Sequence, residues 1–213
     1  MKILFLYLIL YLLFKQFSIS SNINLLLFSY SSFIIVKINK TGLQKAFYSH
    51  FLPPDEIYIN GINQSQINSQ YDLNISNNEI KLVWNKQINN CYSMFNNCEN
   101  ITEIDLSHFD SSNVTSMGSM FFGCSSLVSV NFSNFNTSKI LSMNSLFHFC
   151  KSLTSLDLSN FDTSQVTNMG NMFSNCYSLI SLNLSNFDAS KVESMGRLFY
   201  NCNSLIFKSY KYG

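Results

Sequence analysis

Five cysteines keep a fixed interval in this chain: Cys98, Cys124, Cys150, Cys176 and Cys202 stand 26 residues apart, without insertion or deletion. If successive repeats stack, neighbouring Cα atoms fall about 5 Å apart, a distance that a disulfide tolerates. Secretion would favour such bonds. Yet all six cysteines, Cys91 included, occupy apolar register positions beside Phe. A buried row of free thiols, acting as small hydrophobes, accounts for them without any bond. Both readings stand at this point. No C-x2-C pair and no histidine cluster accompanies the cysteines, so no metal and no cofactor is expected.

Catalytic chemistry needs a nucleophile, a base and an orienting group brought together. Ser107, Ser133, Ser159 and Ser185 recur by repeat position rather than singly. His50, His108 and His148 share no repeat position and read as surface variants. The expectation is a protein that is not an enzyme, with no catalytic residue.

Two Asx rows invite a binding reading. Asp105, Asn131, Asp157 and Asn183 form one; Asp110, Asn136, Asp162 and Asp188 form another. Stacked oxygens can bind a cation, but Asx side chains more simply hydrogen-bond turn backbone two residues on. The candidate binding face is the outward side of the repeat strands: Glu103, Asp105, Ser107, Ser129, Asn131, Ser133, Ser155, Asp157, Ser159, Ser181, Asn183 and Ser185. It lacks the Trp, Tyr and Arg anchors that concentrate binding energy. Weak multivalent contact suits it better than tight one-to-one binding.

The elements that position this face follow from one repeat. Counting from each Cys, Leu or Ile stands at +3, apolar residues at +6 and +8, and Phe109, Phe135, Phe161 and Phe187 at +11. Val or Ile follows at +16 and Met at +19; Met or Leu at +22 and Phe at +23 close the cycle. A fixed period of this length signals stacked repeats. The alternating L-x-L piece predicts a short strand, stacking into a parallel sheet. The V-x-x-M-x-x-M/L-F arm predicts a short helical or 3-10 turn, with Gly118, Gly170 and Gly196 helping it to turn. The fold class expected is therefore an α/β repeat solenoid of leucine-rich-repeat-like coils. It occupies 75–207, behind an N-terminal cap region at 21–74 and before a tail at 208–213. In the first, degenerate coil Ile75, Ile80, Val83, Ile88, Cys91, Met94 and Phe95 keep the register. Beyond Leu205 the pattern lapses, which leaves the last coil open to its tail or to self-association.

Met1-Lys2, the apolar run Ile3–Phe14 and the small residues Ser18 and Ser20 have the form of a secretory signal over 1–20. The run is short for a membrane span, and both cleaved signal and anchor remain open. A second apolar stretch, Leu25–Val36, is interrupted by serines. Eight Asn-x-Ser/Thr sequons, at Asn39, Asn63, Asn74, Asn100, Asn113, Asn131, Asn136 and Asn183, become relevant if the chain is secreted. Charged residues make up only 12% and the net charge is +1. Without a basic stripe, no nucleic acid is expected as a partner.

Leu156-Asp-Leu-Ser-Asn-Phe-Asp-Thr-Ser164 and Val166-Thr-Asn-Met-Gly-Asn-Met-Phe173 resemble the 26-residue repeats of BspA-like leucine-rich-repeat surface proteins. The resemblance implies a surface-exposed or secreted protein for attachment or recognition, and it brings no catalytic residues. The expectation is cell adhesion or binding of an extracellular protein or glycan, with a membrane involved only through the N-terminal segment. The alternative is a structural coat or scaffold that self-associates through the C-terminal coil.

Overall fold

The computed structural model describes residues 32–206. The signal segment at 1–20, the first part of the apolar stretch at 25–31, the last repeat residue Phe207 and the tail at 208–213 lie outside the described residues.

Ten strands carry the chain. β1 (Ser32–Ile38) alternates buried and half-buried residues, as SFIIVKI dictates for a strand with one covered face. β2 (Gly42–Lys45) pairs antiparallel with β5 (Gln70–Leu73). β3 (Glu56–Ile59) forms a hairpin with β4 (Ile62–Asn63) across Asn60 and Gly61, both at positive φ. That conformation is the one a two-residue hairpin turn needs. β6 (Asn78–Trp84) pairs antiparallel with β3 and with β1. The repeat strands are β7 (Ile101–Asp105), β8 (Ser129–Asn131), β9 (Ser155–Asp157) and β10 (Ser181–Asn183).

β1 is inserted between β6 and β7, antiparallel to both. It begins within the second apolar stretch, and its Ile34, Val36 and Ile38 are fully buried. The resulting sheet is mixed and six-stranded, in the order β4-β3-β6-β1-β7-β8; β9 and β10 form a separate parallel pair.

The expected α/β solenoid with helical or 3-10 turns is therefore corrected. Among the described residues there is no helix and no 3-10 turn, and the fold is all-β. The strands form one open mixed sheet and two pairs, where a single parallel sheet was expected.

The arm expected to be helical is a run of β-turns. Met94 N donates to Cys91 O (3.2 Å), Asn96 N to Ser93 O (3.0 Å) and Cys98 N to Phe95 O (3.0 Å). Ser93 and Asn97 have φ of 60° and 54°, and the pattern recurs at Ser119 and Gly123, Ser145 and Phe149, Asn171 and Asn175, Arg197 and Asn201. Two left-handed residues per repeat forbid a helix, because a helix needs right-handed φ at every residue. The remaining N–H groups bond the next repeat: Cys91 to Ser116 O (2.8 Å), Ser93 to Gly118 O (3.0 Å), Phe95 to Met120 O (2.8 Å), Asn97 to Phe122 O (2.7 Å). Gly118, Gly170 and Gly196 are not at the left-handed positions. At Gly118 a Cβ would lie 3.2 Å from the Tyr92 ring, so close approach explains that glycine.

Between strands and turns lies the core. Phe95, Phe121, Phe147, Phe173 and Phe199 stack in parallel, with centroids 5.3 to 5.9 Å apart. A second row, Trp84, Phe109 and Phe135, runs beside it. Phe132 stands where the other repeats have Leu106, Leu158 and Leu184, and its ring wedges edge-on between Phe135 (5.6 Å) and Phe161 (5.0 Å). The sheet breaks at this repeat. Phe132 O takes the side-chain amide of Asn160 (2.8 Å), and β8 and β9 belong to different sheets.

Candidate functional site

The strand face is placed by alternation: Ile104, Leu106 and their counterparts point into the core and the intervening residues point out. Glu103, Ser129, Asn131, Ser133, Ser155, Asp157, Ser159, Ser181, Asn183 and Ser185 are exposed; Asp105 and Ser107 are half-buried. Pairing brings Glu103 beside Ser129 and Asp105 beside Asn131 in one sheet. It brings Ser155 beside Ser181 and Asp157 beside Asn183 in the other. The face is thus two polar patches, one on each side of the break at Phe132.

Its Asx side chains are already engaged. Asp105 Oδ1 accepts the N–H of Ser107 (2.9 Å), Asn131 that of Ser133 (3.0 Å), Asp157 that of Ser159 (2.9 Å) and Asn183 that of Ser185 (3.1 Å). Asn131 Nδ2 also donates to Asp105 Oδ1 (3.0 Å). The second row does the same: Asp110, Asn136, Asp162 and Asp188 cap Ser112, Ser138, Ser164 and Ser190. Bonds from Ser159 N–H and hydroxyl hold the Asp157 carboxyl below the usual carboxylate range. Serine donors likewise lower Asp110, Asp162 and Asp188. These oxygens hold turns closed. No cluster of His, Cys, Asp and Glu suited to a metal occurs among the described residues.

The sheet continues where the repeat pattern does not reach. β1 and β6 extend the outward face with Phe33, Ile35, Lys37 and Lys81. Lys37 pairs with Glu103 at 2.7 Å, which raises its pKa. His108 stacks on Phe33 (4.5 Å, 14°), and Lys81 lies 4.0 Å from the centre of the same ring. His108 Nδ1 has its neighbour Ser107 Oγ as hydrogen-bond partner (3.0 Å), and His50 Nδ1 has Ser49 Oγ (3.2 Å), with the His50 ring tilted against Tyr48 (5.1 Å).

The cysteines are free. Cys124, Cys150, Cys176 and Cys202 each donate through Sγ to a carbonyl of the preceding repeat: Phe95, Phe121, Phe147 and Phe173, at 3.1, 3.2, 3.0 and 2.9 Å. Burial pushes the Cys98 thiol up to about 12 and raises the others. These are packing groups with little thiolate character.

Beside the cysteine row the surface is unlike the strand face. At the two positions before each Cys stand Asn96-Asn97, Phe122-Gly123, His148-Phe149, Ser174-Asn175 and Tyr200-Asn201. Just after each Cys stand Glu99, Ser125, Lys151, Tyr177 and Asn203. His148 stacks on Phe149 (4.3 Å, 10°), and Phe122 meets both edge-on (5.0 and 5.8 Å). Lys151 Nζ lies 5.9 Å from the Phe149 ring. His148 Nε2 meets Asn175 Nδ2 (3.0 Å), while Asn175 Oδ1 accepts from Tyr177 OH (3.1 Å) and Asn201 Nδ2 (2.8 Å). Partial burial lowers the His148 pKa. This corner was missed in the sequence, although its variation between otherwise regular repeats was a signal. On another side Gln87, Asn89, Asn90, Asn113, Thr115 and Lys139 line a shallow groove of about 530 Å³.

A family model described as "Mycoplasma protein of unknown function, DUF285" matches residues 69–211, about two thirds of the chain, and the chain belongs to that family. No curated protein matches, and no solved structure matches. The resemblance to BspA-like leucine-rich-repeat surface proteins is thereby overturned. The matching family is a different one, and the leucine-rich-repeat coil with helical turns is absent from the described fold.

Proposed function

We propose that this member of the DUF285 family is a non-enzymatic protein of the cell surface or the secreted space. It acts by contact, recognising an extracellular protein or glycan through side chains displayed on its repeats. The observation that carries the reading is a self-satisfied backbone that presents outward rows of side chains at one 26-residue spacing. Such a surface suits many weak contacts made together. Support for the non-enzymatic part comes from the polar groups themselves. The Asx oxygens are spent on turns, and the thiols are desolvated. Each histidine has Ser or Asn as its hydrogen-bond partner. Support for the location comes from the basic start, apolar run and small residues of 1–20.

The test is to tag the chain at its C-terminus and label native cells with antibody before and after permeabilisation, while assaying the medium. Label on intact cells or in the medium is the expected result. Label only after permeabilisation, with none in the medium, removes the reading.

A further inference from the structure

We propose that the corner beside the cysteine row, centred on Phe149, is a binding site for an acidic glycan, by which we mean a saccharide carrying carboxylates. The proposal rests on the recognition reading above and names the surface and ligand class for it.

Within one chain the repeats themselves serve as the comparison. At the strand face they barely differ: Ser at Ser107, Ser133, Ser159 and Ser185, Asx at Asp105, Asn131, Asp157 and Asn183. That constancy follows from the turn each Asx closes, whatever binds outside. At the corner the second residue before each Cys and the residue after it differ in every repeat, and the residue just before Cys is Asn in three repeats, Gly in one and Phe in one, although the backbone beneath them runs the same way. Gly123 N reaches His148 O (2.8 Å), Phe149 N reaches Ser174 O (3.0 Å) and Asn175 N reaches Tyr200 O (2.7 Å). Regular backbone with irregular side chains is what a repeat protein needs in order to be specific.

Phe149 is the sharpest departure. Its φ is 63°, in a row otherwise filled by Asn97, Gly123, Asn175 and Asn201. Asn and Gly accept that conformation, whereas a bulky side chain there is strained. Phe149 is also only half-buried, so core packing does not account for it. The ring is held by His148 and Phe122, as a platform is held.

Around it the chemistry is of three kinds. Aromatic faces, Phe149 and the 38% exposed Tyr177, match the C–H face of a pyranose ring. The amide of Asn175 is buried and fully engaged, with His148 and Ser174 on its nitrogen and Tyr177 and Asn201 on its oxygen. It positions the half-buried amide of Asn201 and the Tyr177 hydroxyl, groups that suit hydroxyl recognition. Lys151 supplies charge beside Phe149, and Arg197 supplies it two repeats further on, beside Tyr200. Among the described residues the one ion pair is Lys37 with Glu103, so neither of these cations has an acid to neutralise it. Arg197 lies 5.8 Å from the Tyr200 ring. Unpaired cations beside aromatic faces call for a ligand that brings both rings and negative charge. A carboxylated saccharide brings both.

The experiment is titration calorimetry of the full chain with a glucuronate-containing oligosaccharide. Its carboxyl-reduced counterpart and an acidic peptide of equal charge serve as comparisons. Phe149→Asn and Lys151→Ser install residues that other repeats carry at those positions, so both fold; retained thiol protection verifies it. The expected result is binding of the oligosaccharide, weakened about tenfold by Phe149→Asn, a hot-spot-sized loss. The carboxyl-reduced sugar should bind several-fold more weakly than its parent. No binding by the wild-type chain, binding indifferent to both substitutions, or equal binding of the acidic peptide overturns the proposal. Saturable binding of the soluble chain to cells is measured alongside. If it persists in both variants, the corner is wrong while the recognition reading stands. If the wild-type chain binds no cells, the recognition reading itself fails.

Discussion

At the residue scale the thiols and hydroxyls are structural groups whose titration and bonding can be measured. Five buried cysteines stay protonated in the folded chain well past the pH at which a free thiol ionises near 9. Their folded pKa values are raised, so the unfolded chain loses protons first. Stability is complete below the unfolded thiol value and falls as pH rises from there toward the folded values. Each such thiol removes about 1.4 kcal/mol per pH unit in that window. Melting in reductant should therefore be flat near neutrality and drop steeply above about pH 9, less steeply in Cys150→Ala. An equal slope in that variant would refute the assignment. The same burial predicts that iodoacetamide leaves the folded chain unlabelled at neutral pH, with Cys202, half-buried, the first to react; mass spectrometry reads this directly. Thr163 is equally committed. Its hydroxyl accepts Asp188 N (2.7 Å) and donates to Asp188 O (3.1 Å), tying two repeats at a site 1% exposed. Thr163→Val keeps the shape and strands both groups, a cost of about 1–3 kcal/mol in chemical denaturation. The apolar register announced the core position of the cysteines. Nothing in the spacing announced the Thr, because a buried hydroxyl bridge depends on the neighbouring repeat's backbone.

At the element scale the strand and the turn differ in how legible they were. The strands follow from alternation, and β7 to β10 sit on the I/L/V-x-L/F pieces. Ile80, Ile88, Cys91, Met94 and Phe95 keep core positions upstream, while Ile75, assigned to the same register, is 56% exposed. The helical arm was misread because Met and Phe at spacings of three also suit consecutive β-turns. The deciding residues are the Ser/Asn and Asn/Gly positions five and one before each Cys, where φ is positive. β1 could not be read from any repeat, since it comes from outside the register and separates β6 from β7. Phe132 shows how one residue changes an element: a ring in a leucine slot fills the space between Phe135 and Phe161 and parts β8 from β9. Phe132→Leu should restore parallel pairing of β8 with β9, seen as slower amide exchange at Val130 and Leu156. Faster exchange throughout the repeats would mean that the ring is needed for packing and does not cause the break.

At the scale of the whole described chain, the stack has a polarity that bears on self-association. In every turn arm the inter-repeat N–H groups point toward the next repeat and the carbonyls toward the previous one. At the N-terminal side the first carbonyls are already taken: Met94 O accepts Tyr48 N (2.8 Å) and Asn96 O accepts Lys45 Nζ (2.8 Å). At the other side Met195, Arg197 and Asn201 continue the row of donors, beside exposed Met195 and Tyr200. Two copies meeting turn arm to turn arm would set these donors against each other, about 1–3 kcal/mol for each N–H left desolvated and unpaired. The flanking segments run the other way, with Leu141 N donating back to Thr115 O (2.8 Å) and Glu193 N to Thr167 O (2.8 Å). Joining head to tail would first require displacing the segment that holds Lys45 and Tyr48. A coat built through the turn arms alone is thus disfavoured by the direction of their backbone, and sedimentation tests self-association through the rest of the end. The chain should sediment as a monomer over its whole accessible concentration range. Lys45→Ala frees one carbonyl and should be the variant that begins to associate. A wild-type dimer that persists on dilution would show that the end finds acceptors elsewhere and would restore the scaffold reading.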